Sequence, residues 1–243
     1  MSGPLNELAL MNGVESMVDV IIPAWNEEAA IGRVVADIPA YVRTIWVVDN
    51  GSDDRTVEVA REAGAQVLHQ PERGYGAACQ MGVEQAIASG ARVLVFLDGD
   101  YSDYPGQMTQ LLEPILQGRA DFVVGSRVLG QRTKGSLMPQ QRFGNWLATS
   151  LMRWMYGVAY TDLGPFRAIT SSAYKSLGMN DRNYGWTIEM QVLAAQRGLR
   201  SLEVPVDYRA RIGQSKVSGT VKGSLRAGHK ILLTLFKLRW KKA

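Results

Sequence analysis

The sequence predicts an α/β protein built on a mostly parallel sheet, and two observations carry that prediction. Short β-rich runs alternate with helix-forming segments through the first half of the chain, the signature of βαβ units. The runs are also almost continuously apolar, as strands covered on both faces must be. In order, strands are expected over Met17–Ile22, Thr44–Val48, Gln66–Leu68, Val93–Leu97 and Phe122–Val124. Between them, Glu27–Asp37, Asp54–Ala63, Gly76–Ala88 and Pro105–Leu116 read as helices. After Gly125 the pattern changes. Ser126–Gln140 reads as a loop with Arg127, Arg132 and Lys134, and Gln141–Tyr156 as a helix with Phe143, Leu147, Leu151 and Trp154 on one face. A helix pair, a strand near Ser201–Val206, a loop over Arg209–Gly219 and a helix over Thr220–Lys241 complete the chain. This divides it into a loose leader (1–16), one catalytic domain (17–220) and a C-terminal helix (221–243).

At 243 residues, 46% hydrophobic and 21% charged, the chain is globular and long enough to bury its own core. One cysteine, Cys79, and two histidines exclude an internal disulfide and leave too few soft ligands for zinc. The cysteine usage predicts a reducing compartment such as the cytoplasm. No stretch approaches the ~20 apolar residues that span a bilayer, and no basic residue precedes an apolar run in Met1–Ser16, so no signal peptide is expected.

Charge is distributed unevenly. Ten of the Lys and Arg residues, and no Asp or Glu, fall between Tyr208 and Ala243, leaving 17 basic and 23 acidic residues elsewhere. The final helix sets Val221, Leu225, Leu232, Leu235 and Phe236 on one side and Lys222, Arg226, Lys230, Lys237 and Lys241 on another. That pattern suits the surface of an anionic membrane, peripherally on its cytoplasmic face, and equally a terminal helix packed on the domain with a solvated charged face.

The chemistry starts at Asp98-Gly99-Asp100, directly after the fourth strand. Ligands bind at the carboxyl ends of strands in open α/β sheets. Two carboxylates there, with Gly99 letting the backbone turn, can hold Mg²⁺ or Mn²⁺, whose remaining positions go to substrate phosphate oxygens. A solvated turn is the commoner fate of an isolated Asp-x-Asp; its place after a strand decides for a metal site. The first strand runs into Pro23-Ala24-Trp25-Asn26-Glu27-Glu28 and the second into Asp49-Asn50-Gly51-Ser52-Asp53-Asp54. These loops should lie side by side. Asp49 can accept from a ribose hydroxyl or a base N–H, and Trp25 can cover a base face. Asp53 and Asp54 read rather as helix caps.

These motifs resemble family 2 glycosyltransferases of GT-A fold. The residues that carry the likeness are Ile22–Glu28, Val47–Asp54, Asp98-Gly99-Asp100 and Gly125-Ser126-Arg127, in the family's order over about the first 130 residues. The resemblance implies that Pro23, Trp25, Glu27, Asp49 and Asn50 bind the nucleotide of a nucleotide-sugar donor, and that Asp98 and Asp100 bind metal and diphosphate. Asn50 stands where the family often has a second Asp, which leaves uracil or guanine open. The second half resembles the polyprenyl- or dolichyl-phosphate sugar synthases, through Arg127, Arg142-Phe143-Gly144-Asn145, Asp162–Arg167 and Arg211–Lys216. That likeness implies that Arg127 and Arg142 grip a lipid-phosphate acceptor, while Arg211, Ser215 and Lys216 close over the donor diphosphate.

The expected reaction is an inverting displacement at the anomeric carbon, with no nucleic-acid partner. Transfer to a hydroxyl acceptor would instead require a carboxylate base, for which Glu189 and Asp162 are candidates. A nucleotidyltransferase fits poorly, because its Gly-rich loop is absent after the first strand. Gly74-Tyr75-Gly76 lacks the third glycine of a dinucleotide loop.

Overall fold

The computed structural model of the protein describes residues 17–213 and 221–240. The expectations for the leader, for Ser215, Lys216 and Lys241, and for the side chains of residues 221–227 lie outside the described residues.

Seven strands form one sheet: β1 (Val18–Ala24), β2 (Thr44–Asp49), β3 (Gln66–His69), β4 (Val93–Phe96), β5 (Phe122–Ser126), β6 (Arg167–Thr170) and β7 (Ser201–Pro205). Their order is β3-β2-β1-β4-β6-β5-β7. Only β6 runs against its neighbours, pairing antiparallel with β4 and β5, while β5 and β7 are parallel. The strand at β6 departs from the expected pattern, which held no strand there.

The helices are α1 (Ile31–Ala36), α2 (Thr56–Glu62), α3 (Tyr75–Ala88), α4 (Met108–Leu116), α5 (Pro139–Tyr156), α6 (Ser171–Leu177), α7 (Trp186–Gln196) and α8 (Val221–Trp240). Alternate residues of each strand point to opposite faces, so the sheet separates two cores. Ile21, Val48, Leu94, Phe96 and Phe122 face the layer containing α3, α6, α7 and part of α5 and α8. Val20, Ile22, Val47, Val95 and Val123 face α1, α2 and α4. Burial on both sides explains why the central strands read as unbroken apolar runs.

The last helix is packed on the body. Leu235 and Leu238 are buried, Gln196 of α7 donates to the Leu238 carbonyl at 3.0 Å, and Tyr156 of α5 donates to the Leu235 carbonyl at 2.6 Å. No helix among the described residues is long and apolar enough to cross a membrane.

The strands deliver their carboxyl ends to one edge. Ala24 pairs with Asp49 and Asp49 with His69, so the loops after β1, β2 and β4 lie in a row, where the sequence places its motifs.

Candidate active site

A cleft of about 530 Å³ opens at this edge, lined among others by Pro23, Trp25, Glu27, Asn50, Asp98, Gly99, Asp100, Arg127 and Arg211. Its two first walls are stitched together as expected. The Asn26 and Glu27 N–H groups donate to the Ser52 and Thr56 hydroxyls at 2.9 and 2.8 Å. The Asp54 carboxylate accepts from the Thr56 N–H at 2.9 Å, an Asx turn leading into α2. The N-cap position itself is Arg55, with no side-chain cap bond, so neither Asp53 nor Asp54 caps the helix as the sequence suggested.

Asp98 and Asp100 stand at the floor. Tyr75, at the start of α3, donates its hydroxyl to Asp98 Oδ1 at 3.2 Å. Asp100 Oδ1 accepts from the Ser102 N–H at 2.9 Å, which leaves Oδ2 facing the Arg211 guanidinium at 3.2 Å. Arg211 also reaches Glu27 Oε1 at 3.1 Å, and the Ile212 N–H donates to the Asp100 carbonyl at 2.9 Å. A cation thus already lies against the acidic pair. Burial, and next the Asp100 carboxylate, push the Asp98 carboxyl up to about 7, against the pull of Arg211, Tyr75 and Arg127. Such a shift marks a carboxyl whose charged form is disfavoured first by burial and then by the neighbouring carboxylate.

The turn that aims Asp100 is made differently from the sequence expectation. Gly99 has no positive φ; Tyr101 does, at 64°, with Asn26 at 55° in the neighbouring loop. An aromatic residue in the left-handed region costs on the order of 1 kcal/mol. Here Tyr101 is fixed by its hydroxyl bond to Asp37 at 2.6 Å and by the Arg209 guanidinium lying over its ring. A Cβ at Gly99 would meet Ile31, Ile22 and Glu27 side-chain atoms at 3.4, 3.5 and 3.6 Å, ordinary van der Waals contact, so neither backbone conformation nor space demands a glycine there.

The sequence profile described as Glycosyl transferase family 2 matches residues 19–178, from β1 through α6. The chain belongs to that family. Among its relatives is an uncharacterized glycosyltransferase of Mycobacterium tuberculosis, 36% identical over 212 residues that cover 86% of this chain and 94% of that protein. A dolichyl-phosphate hexose transferase of Haloferax volcanii is 33% identical over 213 residues, 84% of this chain and 88% of that protein. An undecaprenyl-phosphate mannosyltransferase of Micrococcus luteus is 30% identical over 218 residues, with the same coverage of 84% and 88%. A structure of glucosyl-3-phosphoglycerate synthase from Mycobacterium tuberculosis, in complex with Mn²⁺, UDP-glucose and phosphoglyceric acid, superposes with a TM-score of 0.78 at 22% identity. It matches 100% of this chain and 86% of its own. The shared architecture is the GT-A fold.

In this glycosyltransferase the nucleotide-side residues divide. Trp25 is 40% exposed and lines the cleft, with the Arg73 guanidinium 4.4 Å above its ring. Asp49 is turned inward: it accepts from the Ser52 N–H at 2.9 Å, the Gly51 N–H at 3.2 Å and His69 at 3.0 Å. Burial works to raise its pKa, but bonds from Ser52, His69 and Gly51 hold it below the usual carboxylate range. Its oxygens hold its own turn, and it is not part of the cleft lining. Asn50 donates to the Gln70 and Glu72 carbonyls at 3.0 and 2.7 Å and accepts from the Gly74 N–H at 2.7 Å. It anchors the loop that leads to Tyr75, and one oxygen lone pair stays open toward a ligand.

The arginines on the opposite side divide too. Arg127, just after β5, makes a two-pronged bond to Asp162, Nε–Oδ2 at 2.7 Å and NH2–Oδ1 at 2.8 Å. One terminal nitrogen is left over from this fork, and the guanidinium lies 5.0 Å over the Tyr208 ring. Burial works against the charge, but Asp162 holds the Arg127 pKa above its ordinary value. Arg142 sits on the exposed side of the first turns of α5, outside the lining, where Gln141 takes part instead. The two candidate bases are engaged elsewhere. Asp162 is buried against Arg127, and Glu189 accepts from the Asn180 and Asp181 N–H groups at 3.1 and 2.7 Å. Glu189 thus holds the 180–181 loop.

Sequence reasoning passed over Tyr75, Tyr208 and Asp103. Asp103 is buried, and neither of its carboxylate oxygens has a hydrogen-bond partner among the described residues. Burial, then Asp98 and Asp100, push its carboxyl well up. A local signal for Tyr75 existed in its flanking glycines. A Cβ at Gly74 or Gly76 would collide with the Arg182 or Asp181 carbonyl oxygen, so this pair lets the 181–183 loop close over the start of α3.

Proposed function

We propose that this glycosyltransferase moves a hexose, with inversion, from a nucleotide-diphosphate sugar of the UDP-glucose or GDP-mannose type to a polyprenyl or dolichyl phosphate. The observation that carries the acceptor half is the absence of a spare base. Among the described residues lining the cleft the carboxylates are Glu27, Asp98 and Asp100. Glu27 faces Arg211, and Asp98 and Asp100 belong to the donor side. A hydroxyl acceptor would need a group to take its proton. A phosphate monoester has a second pKa of ~6 and arrives as a dianion. The relatives named for dolichyl-phosphate hexose and undecaprenyl-phosphate mannosyl transfer support the same reading.

The acidic pair fits a hard divalent cation. Asp100 Oδ2 already has a positive charge 3.2 Å away. No cluster of three His, Cys, Asp or Glu occurs among the described residues, so the shell would be completed by donor oxygens, as is usual for Mg²⁺ or Mn²⁺. When bound there, the ion offsets charge on the departing nucleotide diphosphate. The protein's own residues do the rest. Trp25 and the loops after β1 and β2 seat the nucleoside end. Arg211 moves from Asp100 to the diphosphate, with Ser215 and Lys216 beside it in the sequence. Arg127, held rigid by Asp162, turns its remaining nitrogen toward the acceptor phosphate, and Arg142 adds charge at the rim. The phosphate oxygen then displaces the nucleotide diphosphate at the anomeric carbon from the opposite side.

The test is mass spectrometry of products from a nucleotide-sugar panel, with Mn²⁺ or Mg²⁺ and either polyprenyl phosphate or a set of saccharide acceptors. Sugar should appear on the lipid phosphate. Transfer to a saccharide alone, lost in Glu189→Gln, would replace this reading with the hydroxyl-acceptor one.

A further inference from the structure

The outward sides of α5 and α8 carry more aromatic surface than a water-facing helix needs. Phe143, Trp146 and Trp154 of α5 are 61%, 60% and 78% exposed, and Trp240 of α8 is 83% exposed. Leu233 and Phe236 are exposed beside it. The Phe143 and Trp146 rings lie together, centroids 5.8 Å apart. Residues 233, 236 and 240 follow steps of three and four, which places them on one stripe. The inner side of α8 already buries Leu235 and Leu238, so this helix is apolar on two sides, where a surface helix is apolar on one. Single exposed apolar residues are ordinary. Five aromatic rings on two helices joined by the Tyr156–Leu235 hydrogen bond form a patch of the kind that marks an interaction site.

The charges around it have one sign. Arg142 and Arg153 on α5 and Lys237 and Arg239 on α8 are exposed, and neither helix contains Asp or Glu. None of these four is in an ion pair among the described residues. Lys230 differs, being held by Asp181 at 3.0 Å.

We infer that the outward faces of α5 and α8 dock on an anionic lipid bilayer. Tryptophan, with an apolar body and one N–H, sits well at the headgroup boundary. Lys and Arg can lay their stems along the apolar stripe while their heads reach lipid phosphates. A second copy of the chain is a poorer occupant, because two such faces would oppose like charges with no acid to meet them. The face also adjoins the chemistry, since the first turn of α5 that carries Arg142 brings Gln141 into the cleft lining. The inference deepens the lipid-phosphate reading by giving the acceptor a surface to come from, yet it stands on separate observations.

The experiment uses the full chain with phosphatidylcholine vesicles, with and without phosphatidylglycerol, and no polyprenyl phosphate. At low salt the protein should sediment with the phosphatidylglycerol-containing vesicles, and its tryptophan emission should shift to the blue. Trp154→Ala with Trp240→Ala should abolish the blue shift and most of the binding. Lys237→Gln with Arg239→Gln should lower the partition coefficient roughly thirtyfold, from ~1 kcal/mol per basic residue near anionic headgroups. Neither pair should change transfer to detergent-solubilised acceptor. Wild-type protein left in the supernatant at low salt overturns the inference, as does undiminished binding of the tryptophan pair. So does a dimer in ultracentrifugation that the tryptophan pair dissolves while vesicles bind neither protein. Loss of detergent-phase transfer in the wild type would instead count against the acceptor reading alone.

Discussion

The two ends of the central strands both hold buried acid beside arginine, and they treat it in opposite ways. Near the start of β1, Asp19 is fully buried and completely answered. Arg43 donates Nε and NH2 to its two oxygens, each at 2.8 Å, and Trp46 adds an indole N–H at 2.7 Å. At the carboxyl end, Asp98 accepts one side-chain hydrogen bond among the described residues, from Tyr75. Asp103 has none among the described residues, and the Nε of Arg211 is buried without a partner. Leaving a buried polar group unsatisfied costs about 1–3 kcal/mol, so the two ends differ in energy as well as in geometry. The completed end is architecture. On the proposed function, the incomplete end is the one a donor and its metal ion would complete.

The largest expected effect breaks the incomplete end. Asp98→Asn or Asp100→Asn should lower sugar transfer on the order of 10³-fold or more, since charge stabilisation of the leaving group supplies several kcal/mol. The melting temperature of Asp98→Asn should hold or rise, because a buried carboxyl beside the Asp100 carboxylate has been neutralised. Turnover within tenfold of wild type for both variants would remove this pair from the mechanism.

The next effect compares the two forks directly. Arg43→Met strands Asp19 and should cost about 3 kcal/mol of stability, with turnover per folded molecule unchanged. Arg127→Met strands Asp162 at a similar cost, and it should also lose most transfer to lipid phosphate. Denaturant melts and kinetics on both variants give the answer, and a kinetic defect in Arg43→Met without a stability loss would erase the contrast.

Legibility in the sequence follows how local each cause is. Asp98 and Asp100 were readable because a strand end and the two residues beyond it are neighbours in the chain. The long apolar runs announced β1, β2 and β4 for the same reason. The strand β6 gave no such signal: it begins with Arg167, fully buried and bonded to the Gly164, Leu163 and Thr187 carbonyls. A buried arginine that opens a strand is a tertiary arrangement, and no periodicity announces it. Arg127 and Asp162 are 35 residues apart, so the fork that occupies the first and disqualifies the second as a base was equally hidden. Asp49 is ambiguous for the opposite reason. Two of its bonds are local, to Gly51 and Ser52, beside the one to His69, and a strand-end Asp that closes its own turn looks in the sequence like one awaiting a ligand.

A third prediction concerns protons. Asp98 has an ordinary value of 3.8 and lies at about 7 in the fold. The folded state therefore binds more protons than the unfolded chain between these limits. The stability this proton lends is fully present below about pH 4 and is lost as pH rises through about 7. Metal-free protein should accordingly melt at falling temperature from about pH 5 to pH 8, relative to Asp98→Asn. Mn²⁺ should raise the melting temperature more at the upper end, where it meets no competing proton. Equal Mn²⁺ shifts at both ends would mean that Asp98 is not the group the ion displaces a proton from.

The smallest effect tests the bond that Tyr75 gives Asp98. Tyr75 is half-buried and packs against Trp186, edge to face at 5.9 Å between centroids, so Tyr75→Phe keeps the packing and removes only the hydroxyl. Its bond favours the charged carboxylate, and losing it should let the Asp98 pKa climb. A hydrogen bond of net ~1 kcal/mol translates into roughly a fivefold change. Mn²⁺ affinity, followed by the ion's electron paramagnetic resonance, should therefore fall by about that factor below pH ~7. The loss should fade well above it, where wild type and variant are both ionised. A purely structural role for the hydroxyl would lower affinity equally at every pH, together with the melting temperature. The pH dependence of the loss, more than its size, separates a residue that tunes the open end of the sheet from one that merely fills it.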